Sequence, residues 1–407
     1  MLANKFHRRM RSIVHPSMKS TKMTGIRAVV GHIGILALLL LFAPLASAQL
    51  STTQETAAEV GDAPLDPGPL DHSLQTRLHP AAVRAAMRKV ADWQLAHVAG
   101  TDRIDWTFAT LYLGFLAASD SLNDPRYRDF VRGVAEAHQW QLGPRMAHAD
   151  DQAIGQSYLA LNQLDPDPRH LEPLRKQFDR LLQKPDDPDA PVWWWCDALF
   201  MAPPVWAQLA ATTGQPKYLD FMDREWHITD HLLWDSKEHL FSRDSTYLNK
   251  HERNGQKIFW SRGNGWVMGG LVRVLNEMPR DDPRRAFYET RFHQMADRIR
   301  SIQGHDGLWR PGLLDSAAYP LPEISGSSFF VYAMAWGIRT GQLDRSLYLP
   351  VVKKGWEGLV RHIYADGRLG SIQPVGASPD TYPPGASYVF GTGAFLLAGA
   401  EVAQLNP

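Results

Sequence analysis

Two kinds of apolar segment alternate along the chain from residue 79 onward. Six runs open with a small or polar residue and continue almost entirely apolar, at 105–114, 151–159, 197–206, 264–271, 327–336 and 392–399. Between them lie segments with one charged face, at 79–97, 124–141, 168–184, 216–233, 283–303 and 345–363. A helix that is apolar all round is buried, whereas one with a charged face lies outside. The alternation predicts six inner and six outer helices that close into an all-α toroid.

Strand signals are sparse and fall between the predicted helices. A hairpin is predicted within 239–260, with short extended pieces near 305–312 and 366–375. An α/β fold requires regular alternation of strands and helices, which this pattern lacks. Residues 76–407 are therefore predicted to form one all-α domain with small β-hairpins in its loops.

The first 75 residues have a different pattern. Residues 1–30 carry basic side chains and no acid, an apolar run follows at 33–42, and Ala46-Ser47-Ala48 forms a small-x-small cleavage pattern. This arrangement is typical of a secretory signal peptide, here 1–48. Residues 49–75 have no apolar period and are predicted to be a flexible leader. We expect an exported chain, periplasmic or extracellular, that begins near Gln49 and has no membrane attachment after cleavage.

Composition narrows the function classes. Lys plus Arg and Asp plus Glu both number 43, so no electrostatic argument favours nucleic acid. The chain has a single cysteine and no His/Cys/Asp/Glu cluster with metal-ligand spacing, so no internal disulfide, metal or cofactor is predicted. The outlier is the count of 14 tryptophans, whose flat faces suit sugar rings as well as a large core. The oligomeric state is undetermined by the sequence.

The predicted barrel also indicates where the functional site lies. If all six inner helices run the same way, their N-termini share one end of the barrel, where Asp105, Asp151, Asp197 and Asn264 then meet. Helix N-termini favour anions. A pocket at this end is expected to suit a ligand that carries a carboxylate.

Asp197 is the first candidate catalytic residue. It follows three consecutive tryptophans, Trp193 to Trp195, and precedes an apolar run. A carboxylate among indoles loses hydration, which raises its pKa and makes it a candidate general acid. The alternative is a helix N-cap, where aspartate is common. The same two interpretations apply to the His148-Ala149-Asp150-Asp151 stretch, where paired acids precede the neighbouring helix.

Two arginines are candidate ligands for an anion. Arg262 lies in the stretch Trp260-Ser261-Arg262-Gly263-Asn264-Gly265-Trp266, among glycines and indoles, and its forked guanidinium suits a carboxylate. A structural turn is the alternative for this stretch. Arg243 precedes Asp244, so a local ion pair is the alternative for Arg243.

These stretches together resemble glycoside hydrolase family 105, the unsaturated rhamnogalacturonyl hydrolases, which are related to the unsaturated glucuronyl hydrolases of family 88. The resemblance spans about residues 80–405 and is carried by five motifs in order: His148 to Gln152, Trp194 to Pro204, Trp260 to Trp266, Ser325 to Phe329, and Gln373 to Gly376. It implies an (α/α)6 barrel, in agreement with the six repeats.

The resemblance also implies a reaction and roles for site residues. Water adds across the C4=C5 bond that a polysaccharide lyase leaves at a non-reducing end, and the resulting hemiketal opens and releases the sugar. The aspartate of the Trp-x-Asp motif, Asp197 here, protonates C4, and Asp151, preferred over Asp150, is the second catalytic carboxylate. The resemblance matches Trp260, Arg262 and Trp266 to substrate-contacting positions, whereas the family's pocket histidine after the third repeat has no clear match and Arg243 lies nearby. The further predicted substrate-binding residues are His148, Asp150, Trp195, Arg243 and Asn264.

The sequence therefore predicts a hydrolase for unsaturated uronyl oligosaccharides, with rhamnogalacturonan from pectin as the favoured source. Ulvan-type or glucuronyl substrates are alternatives within this class. An isomerase, a conventional glycosidase and a glycan-binding protein that lost its catalytic acid are the alternatives outside it.

Overall fold

The computed structural model of this chain describes residues 68–183 and 191–405. The predicted signal peptide lies outside these residues, as does the predicted leader up to residue 67. The chain already contacts the domain within the last part of the predicted leader. Leu70 forms an isolated β-bridge with Tyr364, and Asp71 forms an ion pair with Lys89.

The described residues are mostly helical. In chain order the helices are α1 (Pro80–Val98), α2 (Trp106–Leu122), α3 (Pro125–Ala137), α4 (Ala149–Gln152), α5 (Gly155–Leu164), α6 (Pro168–Leu181), α7 (Ala198–Met201), α8 (Pro203–Thr213), α9 (Pro216–Leu233), α10 (Ser261–Glu277), α11 (Arg285–Ser301), α12 (Ile324–Thr340), α13 (Arg345–Val360) and α14 (Val389–Val402). Short 3-10 turns at Ser245–Tyr247 and Ser316–Ala318 lie in the loops.

The inner helices form a closed ring. Helix α2 packs on α5, α5 on α8, α8 on α10, α10 on α12, α12 on α14, and α14 returns to α2. The outer helices α1, α3, α6, α9, α11 and α13 each pack on the outside of this ring. The predicted all-α barrel of six hairpins is thereby confirmed.

The seam that closes the ring depends on glycine. Helices α2 and α14 approach so closely that a Cβ on Gly393 would lie 2.3 Å from the Thr110 carbonyl oxygen. A Cβ on Gly114 would lie 2.6 Å from the Gly393 carbonyl oxygen. Real Cβ atoms do not approach backbone atoms to these distances, so no larger residue fits here without moving a helix.

Proline and aspartate set the starts of several outer helices. Helices α3 and α6 begin with Pro125 and Pro168, because a proline's fixed φ suits the first turn, where its missing N–H is not needed. The preceding Asp124 and Asp167 accept hydrogen bonds from backbone N–H groups of that turn. The outer helices therefore begin where the local sequence predicts.

The inner helices depart from the predicted starts. Helices α10, α12 and α14 begin at Ser261, Ile324 and Val389, each three residues earlier than predicted. The small residues at the start of these helices allow neighbouring helices to pack closely, and they do not form a loop. A Cβ on Gly265, for example, would lie 3.0 Å from the Gly326 Cα. Two of the predicted apolar runs are each divided into two helices: one run forms α4 and α5, and the other forms α7 and α8. The second division falls at Pro203, which starts α8 and supplies no backbone N–H.

A small hairpin connects α9 to the site. Strands β1 (Trp234–Asp235) and β2 (Leu240–Phe241) pair antiparallel, and a separate bridge joins His251 to Lys257. The structure therefore has a hairpin at 234–241, which starts before the predicted range of 239–260, and a separate bridged turn inside that range. In the described parts of the chain, no helix is long and apolar enough to cross a membrane.

Candidate active site

The first turns of the inner helices meet around one buried indole. Trp266 of α10 lies 6.0 Å from Trp106 of α2, 4.9 Å from Phe200 of α7 and 4.6 Å from Phe329 of α12, measured between ring centroids. Phe390 of α14 lies 6.5 Å from the same ring. The N-termini of the inner helices thus share one end of the barrel, where the predicted site residues were expected to meet.

Asp197 lies directly before α7 but does not cap it. Its backbone is helical, with φ −61° and ψ −30°, and its side chain makes no capping hydrogen bond. The Cys196 thiol donates to its Oδ2 at 3.4 Å, and Arg243 Nε lies 3.9 Å from the same oxygen. The side chain is 13% exposed. Burial raises the pKa of Asp197, and the nearby Arg243 charge opposes this rise.

Arg243 reaches Asp197 because the backbone holds the two segments together. Trp195 forms a β-bridge with Asp244, and the Cys196 N–H donates to the Arg243 carbonyl at 2.8 Å. The Arg243 guanidinium also donates to Asp244 Oδ2 at 2.6 Å. The local ion pair that the sequence suggested is therefore present, and the same arginine also faces the Asp197 carboxyl.

Asp150 is the second carboxyl in this pocket. Burial, and after it the charge of Asp197, raises the pKa of Asp150 to about 7. Its Oδ2 lies 3.6 Å from His148 Nδ1, and the His148 ring lies 4.9 Å from that of Trp195. Burial and the Arg145 charge lower the pKa of His148. The charge of one carboxyl therefore acts on the other, and the imidazole lies beside Asp150.

Asp151 has different surroundings, which argue against its predicted role as the second catalytic carboxylate. Its Oδ1 accepts from Arg145 Nη2 at 2.6 Å and Nε at 3.1 Å, and its Oδ2 accepts from the Arg145 backbone N–H at 2.7 Å. Gly143 lies against it, since a Cβ there would be 2.6 Å from the Asp151 side chain. These contacts make Asp151 a clamp for the 143–145 segment.

Arg262 is also engaged by the protein. It is 1% exposed, and its Nη1 and Nη2 donate to the carbonyls of Gln373 at 2.5 Å and Pro374 at 2.7 Å. Glu323 lies 4.0 Å from Nη1. The fork predicted to bind a substrate carboxylate therefore holds a loop, and we assign Arg262 a positioning role in place of the predicted contact with substrate.

The neighbours of Arg262 are structural in the same way. The Asn264 amide bonds the backbone N–H and carbonyl of Phe241, and Trp260 Nε1 donates to Gln373 Oε1 at 2.9 Å. Trp266 is completely buried. Because α10 begins three residues earlier than predicted, these side chains lie inside the barrel and not at its mouth.

The sequence analysis assigned no site role to three residues at this end, although Trp194 and Gln373 lie in motifs that carry the resemblance. Trp194 is 46% exposed and contacts Trp195 and Arg243. Glu323 is fully buried, caps α12 and accepts from the Gln373 N–H at 3.1 Å. The tryptophan run was a signal for Trp194, whereas nothing local indicated that Gln373 would be the hub of a buried network.

No group of His, Cys, Asp and Glu side chains in residues 68–183 and 191–405 is arranged to hold a metal ion. The described side chains of this site place carboxyls that can transfer protons beside aromatic rings.

Comparisons with known proteins agree with this arrangement. The family model described as Glycosyl Hydrolase Family 88 matches residues 80–406. A protein from Formosa agariphila, named unsaturated 3S-rhamnoglycuronyl hydrolase, is 42% identical over 82% of this chain and 93% of its own length. A protein of the same name from an Alteromonas species is 32% identical over 83% of this chain and 89% of its own length.

Solved structures of glycoside hydrolases also match this chain. A family 88 glycosyl hydrolase from Bacteroides vulgatus matches with a TM-score of 0.76 and 30% identity over 80% of this chain and 99% of its own. A family 105 enzyme from C. acetobutylicum matches with a TM-score of 0.67 over 78% of this chain and 99% of its own, at 21% identity, which shows the shared fold alone.

The toroid of helical hairpins and its coupled carboxyls define a glycoside hydrolase. The chain belongs to glycosyl hydrolase family 88. Both relatives are named as hydrolases, in agreement with this class.

Proposed function

We propose that the enzyme releases the 4,5-unsaturated uronyl residue from the non-reducing end of lyase-generated oligosaccharides, with Asp197 as general acid. The observation that supports this role is the state of Asp197: its side chain is mostly buried, its pKa is raised by burial, and it is not used as a cap. A raised pKa favours the protonated form of this carboxyl, which can deliver its proton to carbon.

The proposed step is a hydration. The Asp197 carboxyl transfers its proton to C4, and the C4=C5 electron pair forms the new C–H bond, which leaves positive charge shared by C5 and the ring oxygen. The Asp197 carboxylate then accepts a proton from the water that attacks C5, so the acid is regenerated. The hemiketal at C5 opens to a ketone, and the hemiacetal exposed at C1 collapses and releases the next sugar as an alcohol. One water is consumed in total.

Asp150 takes the second carboxyl role in this proposal, in place of Asp151. Its pKa is raised to about 7 by burial and by the Asp197 charge, so an anionic Asp197 favours the protonated form of Asp150. A neutral Asp150 can donate a hydrogen bond that holds the sugar ring, and it avoids placing a second negative charge beside a uronate. Arg243, 3.9 Å from Asp197 Oδ2, stabilises the anionic intermediate state.

The relatives' names refine the substrate. Both carry the name 3S-rhamnoglycuronyl hydrolase, which favours the ulvan-type alternative over the rhamnogalacturonan source that the sequence favoured. We propose an unsaturated uronyl residue linked to a rhamnose sulfated at O3 as the substrate.

Loss of absorbance of the unsaturated bond tests the proposal directly. Lyase-digested ulvan and lyase-digested pectin are compared as substrates for the wild-type enzyme, and ulvan fragments are expected to react faster. Asp197→Asn is expected to lower turnover by roughly two or more orders of magnitude, the usual contribution of a general acid–base group. The wild-type rate is expected to fall at alkaline pH as Asp197 ionises.

The matched control is Asp105→Asn. Asp105 also precedes an inner helix, but its side chain accepts from the Thr107 N–H as a true cap, a role that asparagine fills about as well. This variant is expected to retain turnover. A soluble, cooperatively melting Asp197→Asn enzyme that keeps more than about a tenth of wild-type turnover would contradict the general-acid role.

A further inference from the structure

Trp194 is an exposed indole at the edge of the site. It is 46% exposed, whereas the neighbouring Trp193 is fully buried and Trp195 is 4% exposed. Its ring is held by two neighbours: the Trp195 ring at 4.6 Å between centroids, and the Arg243 guanidinium carbon at 5.4 Å from its centroid. The ring is therefore held by neighbours on one side while 46% of the residue stays open to solvent.

The position of Trp194 relative to Asp197 indicates which molecule the exposed indole would contact. Arg243 contacts both: its guanidinium carbon lies over the Trp194 ring, and its Nε is 3.9 Å from Asp197 Oδ2. One arginine side chain therefore separates the exposed indole from the carboxyl that acts on the terminal sugar. The indole and the carboxyl thus lie on either side of one arginine, which places the exposed indole beside the site of the terminal sugar.

We propose that Trp194 is the platform of a subsite for the sugar that follows the unsaturated uronyl residue. This inference rests on the proposed function. The preferred occupant is a ring with a continuous C–H face, such as a 6-deoxyhexose, because the indole face carries partial negative charge that attracts C–H groups and offers no hydrogen bonds to ring hydroxyls. Trp194 would thereby select the leaving sugar without touching the reacting atoms.

Two substrates separate this role from a structural one. The first is the unsaturated uronyl–rhamnose disaccharide released by a lyase. The second is the methyl glycoside of the same unsaturated uronic acid, which has no sugar to place on the indole. The enzymes compared are wild type, Trp194→Ala, Trp194→Phe and, as control, Leu347→Ala. Leu347 is 45% exposed on the outer helix α13, so it matches Trp194 in exposure but lies on the outside of the barrel.

Trp194→Ala is expected to raise KM for the disaccharide roughly three- to tenfold, the usual value of an aromatic contact, and to leave kcat and its pH profile unchanged. For the methyl glycoside its KM is expected to equal that of wild type. Trp194→Phe is expected to recover most of the lost affinity, since a phenyl face keeps part of the stacking area. Leu347→Ala is expected to match wild type on both substrates.

An equal rise of KM on both substrates, or no rise on the disaccharide, would overturn the platform role. In either case wild-type turnover of both compounds would leave the proposed function intact. A wild-type enzyme inert toward both compounds would instead overturn the proposed function, and this subsite with it.

Discussion

Asp150 and Asp151 are adjacent in the sequence and have opposite surroundings. Asp150 lies beside a second carboxyl in a water-poor pocket, whereas Asp151 is clamped by Arg145. Asp150 is costly to ionise in the folded chain, whereas Asp151 stabilises the fold through its ion pair with Arg145. This contrast gives the two residues opposite effects on stability when they are replaced.

Asp150→Asn is expected to stabilise the protein at neutral pH. Between pH 3.8, its ordinary pKa, and about 7, native Asp150 keeps a proton that the unfolded chain has released. Because the native state then binds more protons than the unfolded state, this group's contribution to stability falls as pH rises through that window. The variant cannot ionise, so its melting temperature should exceed that of wild type by an amount that grows from pH 4 to pH 7.

Asp151→Asn is the matched comparison and is expected to have the opposite sign. The substitution removes the carboxylate that accepts hydrogen bonds from Arg145. Loss of such a hydrogen-bonded charged group lowers the free energy of unfolding by about 1–3 kcal/mol. Calorimetric melting at pH 4, 5.5 and 7 measures both variants. A wild-type advantage over Asp150→Asn at pH 7 would show that Asp150 is not a desolvated carboxyl.

At the scale of single residues, the sequence predicted only part of the candidate site. The three tryptophans before Asp197 predicted a buried carboxyl, and its side chain is 13% exposed in the structure. The choice between Asp150 and Asp151 was not recognisable, because it depends on how the short helix α4 is rotated. That rotation is set by the approach of Gly143 to Asp151 and by the Arg145 clamp, both of which come from outside the helix.

At the scale of elements, the 371–388 loop is fixed by a buried network of side chains from other parts of the chain. Arg262 of α10 donates to the Gln373 and Pro374 carbonyls, and Glu323, the cap of α12, accepts from the Gln373 N–H. Trp260 Nε1 bonds the Gln373 side chain. The first turns of two inner helices therefore set the position of this loop near Asp197.

Arg262→Lys is expected to loosen this loop. A lysine ammonium is a point donor and cannot span the two carbonyls that the guanidinium fork bonds. Hydrogen exchange of the 371–388 amides should rise by at least tenfold, since one hydrogen bond to a charged group contributes about 1.5–3 kcal/mol. Hydrogen–deuterium exchange with mass spectrometry measures this, with Arg243→Lys as a control that should leave the loop unchanged.

Direct binding of the uronate by Arg262 makes a different prediction for the same variant. It requires a higher KM with unchanged exchange in the 371–388 loop. Observation of that pair of results would return Arg262 to the role that the sequence suggested.

Periodicity predicted the elements better than their contacts. The inner and outer helices follow from alternation of all-apolar and half-charged segments, because each pattern leaves one way to bury its apolar surface. The partner of Arg262 could not be inferred, since Gln373 lies 111 residues further along the chain. Contacts of this kind depend on how the ring closes and not on local propensity.

At the scale of the whole molecule, the α2–α14 seam closes the ring through close glycine contacts. Gly393→Ala is expected to lower stability by about 1–3 kcal/mol, the usual cost of overpacking, because its Cβ would meet the Thr110 carbonyl. Gly133→Ala is the matched control: Gly133 lies in α3 with no atom within 4 Å of an added Cβ. Alanine is expected to stabilise this helix by about 0.5–1 kcal/mol. Equal effects of the two substitutions in thermal melting would show that the seam is not closely packed.

We also propose that the chain is exported, from the basic N-terminal region, the apolar run and Ala46-Ser47-Ala48. N-terminal sequencing of material recovered outside the cytoplasm is expected to begin at or near Gln49. Material that retains Met1 or Met23 would contradict cleavage at this position.

Ring closure has a consequence for how the protein folds. Thr392 of α14 bonds Gln94 of α1 across 298 residues of sequence, and the seam beside it cannot form before almost the whole chain is available. Contacts of such sequence separation raise contact order and slow folding. A nascent chain that lacks α14 has an open arc whose end helices expose apolar faces, the surfaces that chaperones bind and that aggregation exploits. A short C-terminal truncation should therefore damage solubility more than its number of residues suggests.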